Sequence, residues 1–127
     1  MEERRLLSIV ELGGYPDFAP LYRALGYVPV KVHSMRKAQA WLKRNQPAVV
    51  VAEFHFDPEL RDRMGNIESL SAALQRYAPG ARVILFIEPG HRGRLEPVRK
   101  RCSIFGALDY PVDEQALRGL LEQAAGE

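Results

Sequence analysis

Six side chains able to bind metal or move protons stand close to the ends of apolar runs: Glu11, Glu53, His55, Asp57, Glu88 and His91. Glu53, His55 and Asp57 alternate, so on a continuing strand they would share one face, and Glu11, Glu88 and His91 would reach the same sheet edge. Carboxylates with imidazoles make a divalent-metal set or a general acid and base, which defines one reading: a metal-binding or hydrolytic enzyme using Glu11, Glu53, His55 and Glu88. The turn signal Asp57-Pro58 opposes it, because alternation carries no meaning in a loop. No serine or cysteine has a recognisable nucleophile setting, and Cys102 at an apolar-flanked helix end reads as a core thiol. Gly13-Gly14 lacks both the dinucleotide fingerprint and the Lys-Ser/Thr of a phosphate loop. The expectation is therefore a non-enzyme with no cofactor and no metal.

The elements that would position these residues follow from the hydrophobic pattern. Arg5–Glu11 is an apolar run closed by a carboxylate and two glycines, read as the first strand. Asp17 opens a helix through Leu25, with Phe18, Leu21, Tyr22 and Leu25 at helical spacing and Gly26 as its stop. Val28–His33 is a second strand, and Ser34 caps a helix carrying Met35, Ala38, Trp41 and Leu42. Ala48–Ala52 is β-branched and wholly apolar, which predicts a central strand whose tip, Glu53, comes to the surface. His55–Asn66 reads as the longest loop, followed by a helix through Tyr77 that breaks at Pro79-Gly80. Ala81–Ile87 is another buried strand ending at Glu88, and a helix over Arg94–Ser103 leads to a short strand near Ala107–Asp109. Pro111-Val112-Asp113 opens the last helix. Strand and helix alternate five times, which predicts one α/β domain over residues 1–127, a parallel sheet with helices on both faces.

In this order the residues resemble the receiver domains of bacterial response regulators over nearly the whole chain. Ile9-Val10-Glu11-Leu12-Gly13 stands at the family's acidic pair and Glu53 at its phosphoaccepting Asp. Phe86-Ile87-Glu88 stands at the hydroxyl residue and its small neighbour. Gly106-Ala107-Leu108-Asp109-Tyr110-Pro111-Val112-Asp113 stands at the closing Lys-Pro motif, with Tyr110 in place of the Lys. The resemblance implies a flavodoxin-like three-layer sandwich, a five-stranded parallel sheet in the order 2-1-3-4-5 with five helices.

The departures define a degenerate phosphoacceptor pocket of Glu53, Glu11, Leu12, Ile87, Glu88, Tyr110 and Pro111. Receiver chemistry needs an Asp nucleophile, carboxylates for Mg²⁺, a hydroxyl and a lysine. Glu53 is a methylene longer than Asp, which disturbs in-line geometry. Glu11 alone remains of the first acidic cluster, Ile87 offers no hydroxyl and Tyr110 no fixed positive charge. The implied protein is a pseudo-receiver acting through protein contacts, in which Glu53 either imitates a phosphorylated Asp or is a plain strand-end residue. A receiver still switched by phosphorylation or a ligand is the alternative.

Length and composition agree with a single domain: 127 residues, 46% hydrophobic. A net charge of +2 gives no global argument for nucleic acid or a membrane surface, and neither is expected as a partner. One cysteine excludes an internal disulfide, and no signal peptide or membrane span is legible, so a cytoplasmic location is expected. The late cluster Arg92, Arg94, Arg99, Lys100 and Arg101 lies where receiver-like proteins dock or dimerise. The resemblance thus implies an interaction face of Arg94, Arg99, Arg101, Tyr110 and Asp113, offered to a protein with an acidic patch or to a second copy. The expectation is either a stand-alone receiver that binds a separate partner or a fragment whose effector domain was removed.

Overall fold

The computed structural model describes residues 4–54 and 66–126, with the backbone alone at Asn66. The readings placed on His55, Asp57 and the loop to Asn66 lie outside the described residues.

The strands are β1 (Arg4–Ile9), β2 (Tyr27–Val32), β3 (Val49–Glu53), β4 (Arg82–Ile87) and β5 (Gly106–Asp109). The helices are α1 (Ala19–Ala24), α2 (Met35–Leu42), α3 (Asn66–Tyr77), α4 (Arg92–Arg101) and α5 (Glu114–Gly126). All four strand pairings are parallel and the order is β2-β1-β3-β4-β5, as the resemblance implies. β3 and β4 are buried on both faces because helices cover both, which is why they read as unbroken apolar runs.

Side-chain alternation divides the interior into two layers. Leu7, Ile9, Val50, Ala52, Val83, Leu85 and Ile87 pack beneath α2, α3 and α4. Leu6, Val49, Val51, Ile84 and Phe86 pack on the other face beneath α1 and α5. Gly106 opens β5 because α5 presses against it: a Cβ there would stand 2.8 Å from a Leu120 methyl carbon. Across the same layer the Tyr27 hydroxyl donates to the Leu121 carbonyl at 3.0 Å.

The edge strand β2 is blunted against pairing with another chain. Val32 accepts from the Val10 N–H, so its period-two neighbours Val30 and Val28 also turn their backbone toward β1, leaving Pro29 and Lys31 on the outer side. Pro29 has no N–H to offer and Lys31 brings charge, both of which discourage strand addition.

Several boundaries shift from the sequence reading. β1 ends at Ile9, leaving Glu11 in the loop, and α4 begins at Arg92, directly after a tight turn over Pro89–His91. Asp17 lies one residue outside the α1 cap and bonds the Ala19 N–H at 3.0 Å instead. Ser34 does cap α2, accepting from the Lys37 N–H at 3.1 Å. Cys102 is buried in the α2–α3–α4 layer as expected.

Candidate functional site at the carboxyl edge of the sheet

The carboxyl edge of β1, β3, β4 and β5 gathers the loops that hold the candidate residues. Glu53 is the last residue of β3, and its side chain is 1% exposed. This corrects the expectation of a surface tip. A buried carboxylate is costly unless its oxygens are bonded, and the β1–α1 loop bonds them.

Three consecutive backbone N–H groups converge on Glu53. Leu12 donates to Oε1 at 2.9 Å, while Glu11 and Gly13 donate to Oε2 at 3.1 and 3.2 Å. The Tyr15 hydroxyl donates to Oε2 at 2.7 Å. The loop can close in this way because Gly13 and Gly14 hold φ of 72° and 87°, the left-handed region that side-chain-bearing residues resist. The result is a backbone nest, a concavity of N–H groups that favours an anion, and Glu53 supplies that anion from within.

Aromatic rings roof this carboxylate. Tyr15 meets Phe86 edge-on at 5.0 Å and stacks on Tyr110 at 6.0 Å and on Phe18 at 6.4 Å. Phe86 lies across from Glu53 in the β3–β4 register and belongs to the same sheet face as Val51. Edge-to-face and offset contacts at these separations add to the burial they accompany. Burial raises the Tyr15 phenol above the ordinary tyrosine value, and its bond to Glu53 raises it further. Tyr110 is also raised, by burial first and then by Glu53 and Glu88. Tyr110, which the sequence resemblance sets in the place of a lysine, is therefore a neutral phenol.

The other predicted pocket residues are placed as follows. Ile87 is fully buried but points into the opposite layer, beneath α2, α3 and α4, so it does not stand beside Glu53. The β4 side chain in that place is Phe86, which sequence spacing missed by one residue. Glu11 brings its backbone N–H to Glu53, and Leu12 does the same while its side chain is 82% exposed. Glu88 and Pro111 are exposed at the rim, and the Tyr110–Pro111 peptide is cis. Tyr15 was not singled out, and Phe18 was read only as an apolar residue of the first helix. The signal that could have found them is aromatic residues directly after a glycine pair that follows a strand.

The site does not assemble as a cation site. Three N–H groups and a hydroxyl turn their protons toward the Glu53 oxygens, and a cation there would meet the positive ends of those dipoles. Among the described residues no three His, Cys, Asp or Glu side chains are arranged to hold a metal. His91 ends the Pro89–His91 turn, and His55 lies outside the described residues.

The expected interaction face is divided. Arg101 turns toward α3 and pairs with Glu68 at 3.2 Å. Tyr110 turns inward to the aromatic cluster, and Asp113 caps α5 by accepting from the Ala116 N–H at 3.2 Å. Arg94 and Arg99 are exposed on α4. Arg92 ties α4 to β5, donating to the Asp109 carboxylate and to the Ala107 carbonyl.

No protein-family model and no curated protein matches the chain. Solved structures do. A response regulator receiver domain protein from Clostridium thermocellum is 18% identical with a TM-score of 0.75, covering 97% of this chain and 94% of its own. The signal receiver domain of an HD domain-containing protein from Pseudomonas fluorescens Pf-5 is 18% identical with a TM-score of 0.77, at 98% and 96% coverage. A sensor protein from Polaromonas sp. JS666 is 21% identical with a TM-score of 0.70, covering 98% of both chains. At such identities the likeness establishes the fold: this chain has the architecture of a response-regulator receiver domain. No helix among the described residues is long and apolar enough to cross a membrane.

Proposed function

We propose that the chain is a degenerate receiver, a regulatory module of signal transduction that aspartyl phosphorylation does not switch and that works by contact with other proteins. One observation carries this reading. The carboxylate in the phosphoacceptor's place is buried and bonded by the β1–α1 loop, the segment that would otherwise help to hold a metal ion. A nucleophile must present an oxygen lone pair in line with an incoming phosphorus, and both Glu53 oxygens are already engaged.

The remaining chemistry is equally unsuited. Phe86 offers a ring where a hydroxyl would sense the product, and Tyr110 offers a neutral phenol where a lysine would pair its charge. Glu53 does not act as a stand-in for a phosphoryl group on this reading, since four of its bonds run to the β1–α1 loop. It keeps that loop in one arrangement. Incubation with acetyl phosphate and Mg²⁺, followed by intact-mass measurement, is expected to leave the mass unchanged. A phosphoryl adduct on Glu53 would overturn the reading and favour a receiver that is still switchable.

A further inference from the structure

The net charge of +2 conceals an uneven surface. Residues 18–52 contain no Asp or Glu, and the fold then sorts the later charges as well. On the layer of α2, α3 and α4, α2 and its C-terminal flank expose Arg36, Lys37, Lys43 and Arg44. α4 contributes Arg92, Arg94, Arg99, Lys100 and Arg101, and α3 contributes Arg76. Against these ten cations the three helices carry two carboxylates, Glu68 and Glu96; Glu68 is paired with Arg101, and Arg92 is paired with Asp109 of β5. The helices of the opposite layer are balanced: α1 carries Arg23, and α5 carries Arg118, Glu114 and Glu122.

We propose that the α2–α3–α4 layer binds the phosphate backbone of a nucleic-acid duplex without reading its sequence. α2 and α4 flank α3, and packed helices stand about 8–10 Å apart, so two basic ridges run about 16–20 Å from each other. That span reaches phosphates on both sides of a groove about 12 Å wide. Seven of the ten cations are Arg, whose planar fork suits phosphate oxygens.

Other partners fit less well. The exposed large hydrophobics among the described residues are Leu12, in the loop after β1, and Val28, on the edge strand β2, and neither is carried by α2, α3 or α4. A membrane-surface helix needs apolar side chains to insert, and a protein interface centres on apolar or aromatic anchors. A second copy would oppose one basic layer to another. Trp41 of α2 and Tyr77 of α3 are packed against the core, and Arg76 lies over the Tyr77 ring at 5.4 Å, so among the described residues of these helices no open ring is offered for stacking single-stranded bases.

The test is fluorescence anisotropy with a labelled random-sequence DNA duplex across a salt series. Arg36, Lys37, Lys43, Arg44, Arg99 and Lys100 predict a slope of log affinity against log salt of about −5. The variant Arg36→Gln/Lys37→Gln/Lys43→Gln/Arg44→Gln is expected to shrink that slope by about 3 to 4 and to weaken binding about tenfold or more. Arg23→Gln/Arg118→Gln on the other layer is expected to bind like the parent, and circular dichroism checks that both variants are folded. Absence of duplex binding at about 50 mM salt, or a slope unchanged in the fourfold variant, would overturn the proposal. Polyglutamate or phosphatidylserine vesicles competing as well as duplex would also overturn it, in favour of an acidic protein or a membrane.

Discussion

The Tyr15 hydroxyl donates to Glu53 Oε2 at 2.7 Å, joining the loop after β1 to the tip of β3 across a sequence gap of 38 residues. This bond completes a set in which backbone supplies the other donors, and it makes Tyr15 the one side chain in the set that can be altered without moving the main chain. Tyr15→Phe keeps the ring contacts with Phe86 and Tyr110 and removes a hydrogen bond to a buried charge. The expected loss is about 1.5–3 kcal/mol of stability, read as a lower urea midpoint with the slope unchanged. A variant as stable as the parent would show that the bond contributes nothing.

Glu53→Gln tests the nest. The amide replaces one acceptor oxygen by an NH₂ group that must face N–H donors, so the substitution removes the charge and sets donor against donor. Destabilisation of about 3 kcal/mol is expected, with the largest amide shifts at Glu11, Leu12 and Gly13. Glu53→Asp keeps the charge but loses the reach of one methylene, and its cost should fall between those of the parent and the Gln variant. Equal stability of all three proteins would contradict the nest.

The tyrosines predict a weakness at alkaline pH. Burial raises the Tyr22 phenol above its ordinary value of 10.0, with Asp17 adding to the shift, and Tyr15 and Tyr110 are raised as well. Above that ordinary value the unfolded chain releases phenol protons that the folded chain keeps, so stability is complete below it and falls as pH rises. Buried Tyr22 alone contributes a slope approaching about 1.4 kcal/mol per pH unit, and half-buried Tyr15 and Tyr110 add less because solvent screens them. Urea titrations at rising pH should show this decline, with tyrosinate absorbance appearing together with unfolding. Flat stability past the ordinary tyrosine range would contradict it.

Most of the fold was legible in the sequence because strands covered on both faces must be apolar, and Val49–Val51 and Val83–Ile87 are. Boundaries were less so, since Glu11 and His91 belong to loops whose ends are fixed by backbone bonds and not by side-chain pattern. The burial of Glu53 could not be read, because a carboxylate after an apolar run normally marks the surface and its partners here are N–H groups that every residue carries. The resemblance set Ile87 in the pocket, yet a one-residue offset in a strand exchanges faces, and Phe86 occupies that side. The basic layer was hidden by summation: Glu114 and Glu122 of α5 enter the same total from the opposite side of the sheet.

The central claim is that Glu53 is an internal ligand of the β1–α1 loop and not a phosphoacceptor. Amide NMR spectra recorded while Mg²⁺ and beryllofluoride are added test it most directly. The account predicts that the Glu11, Leu12, Gly13 and Tyr15 signals stay in place at saturating concentrations of both. Saturable shifts of these four amides, with accompanying changes along α4 and β5, would contradict it.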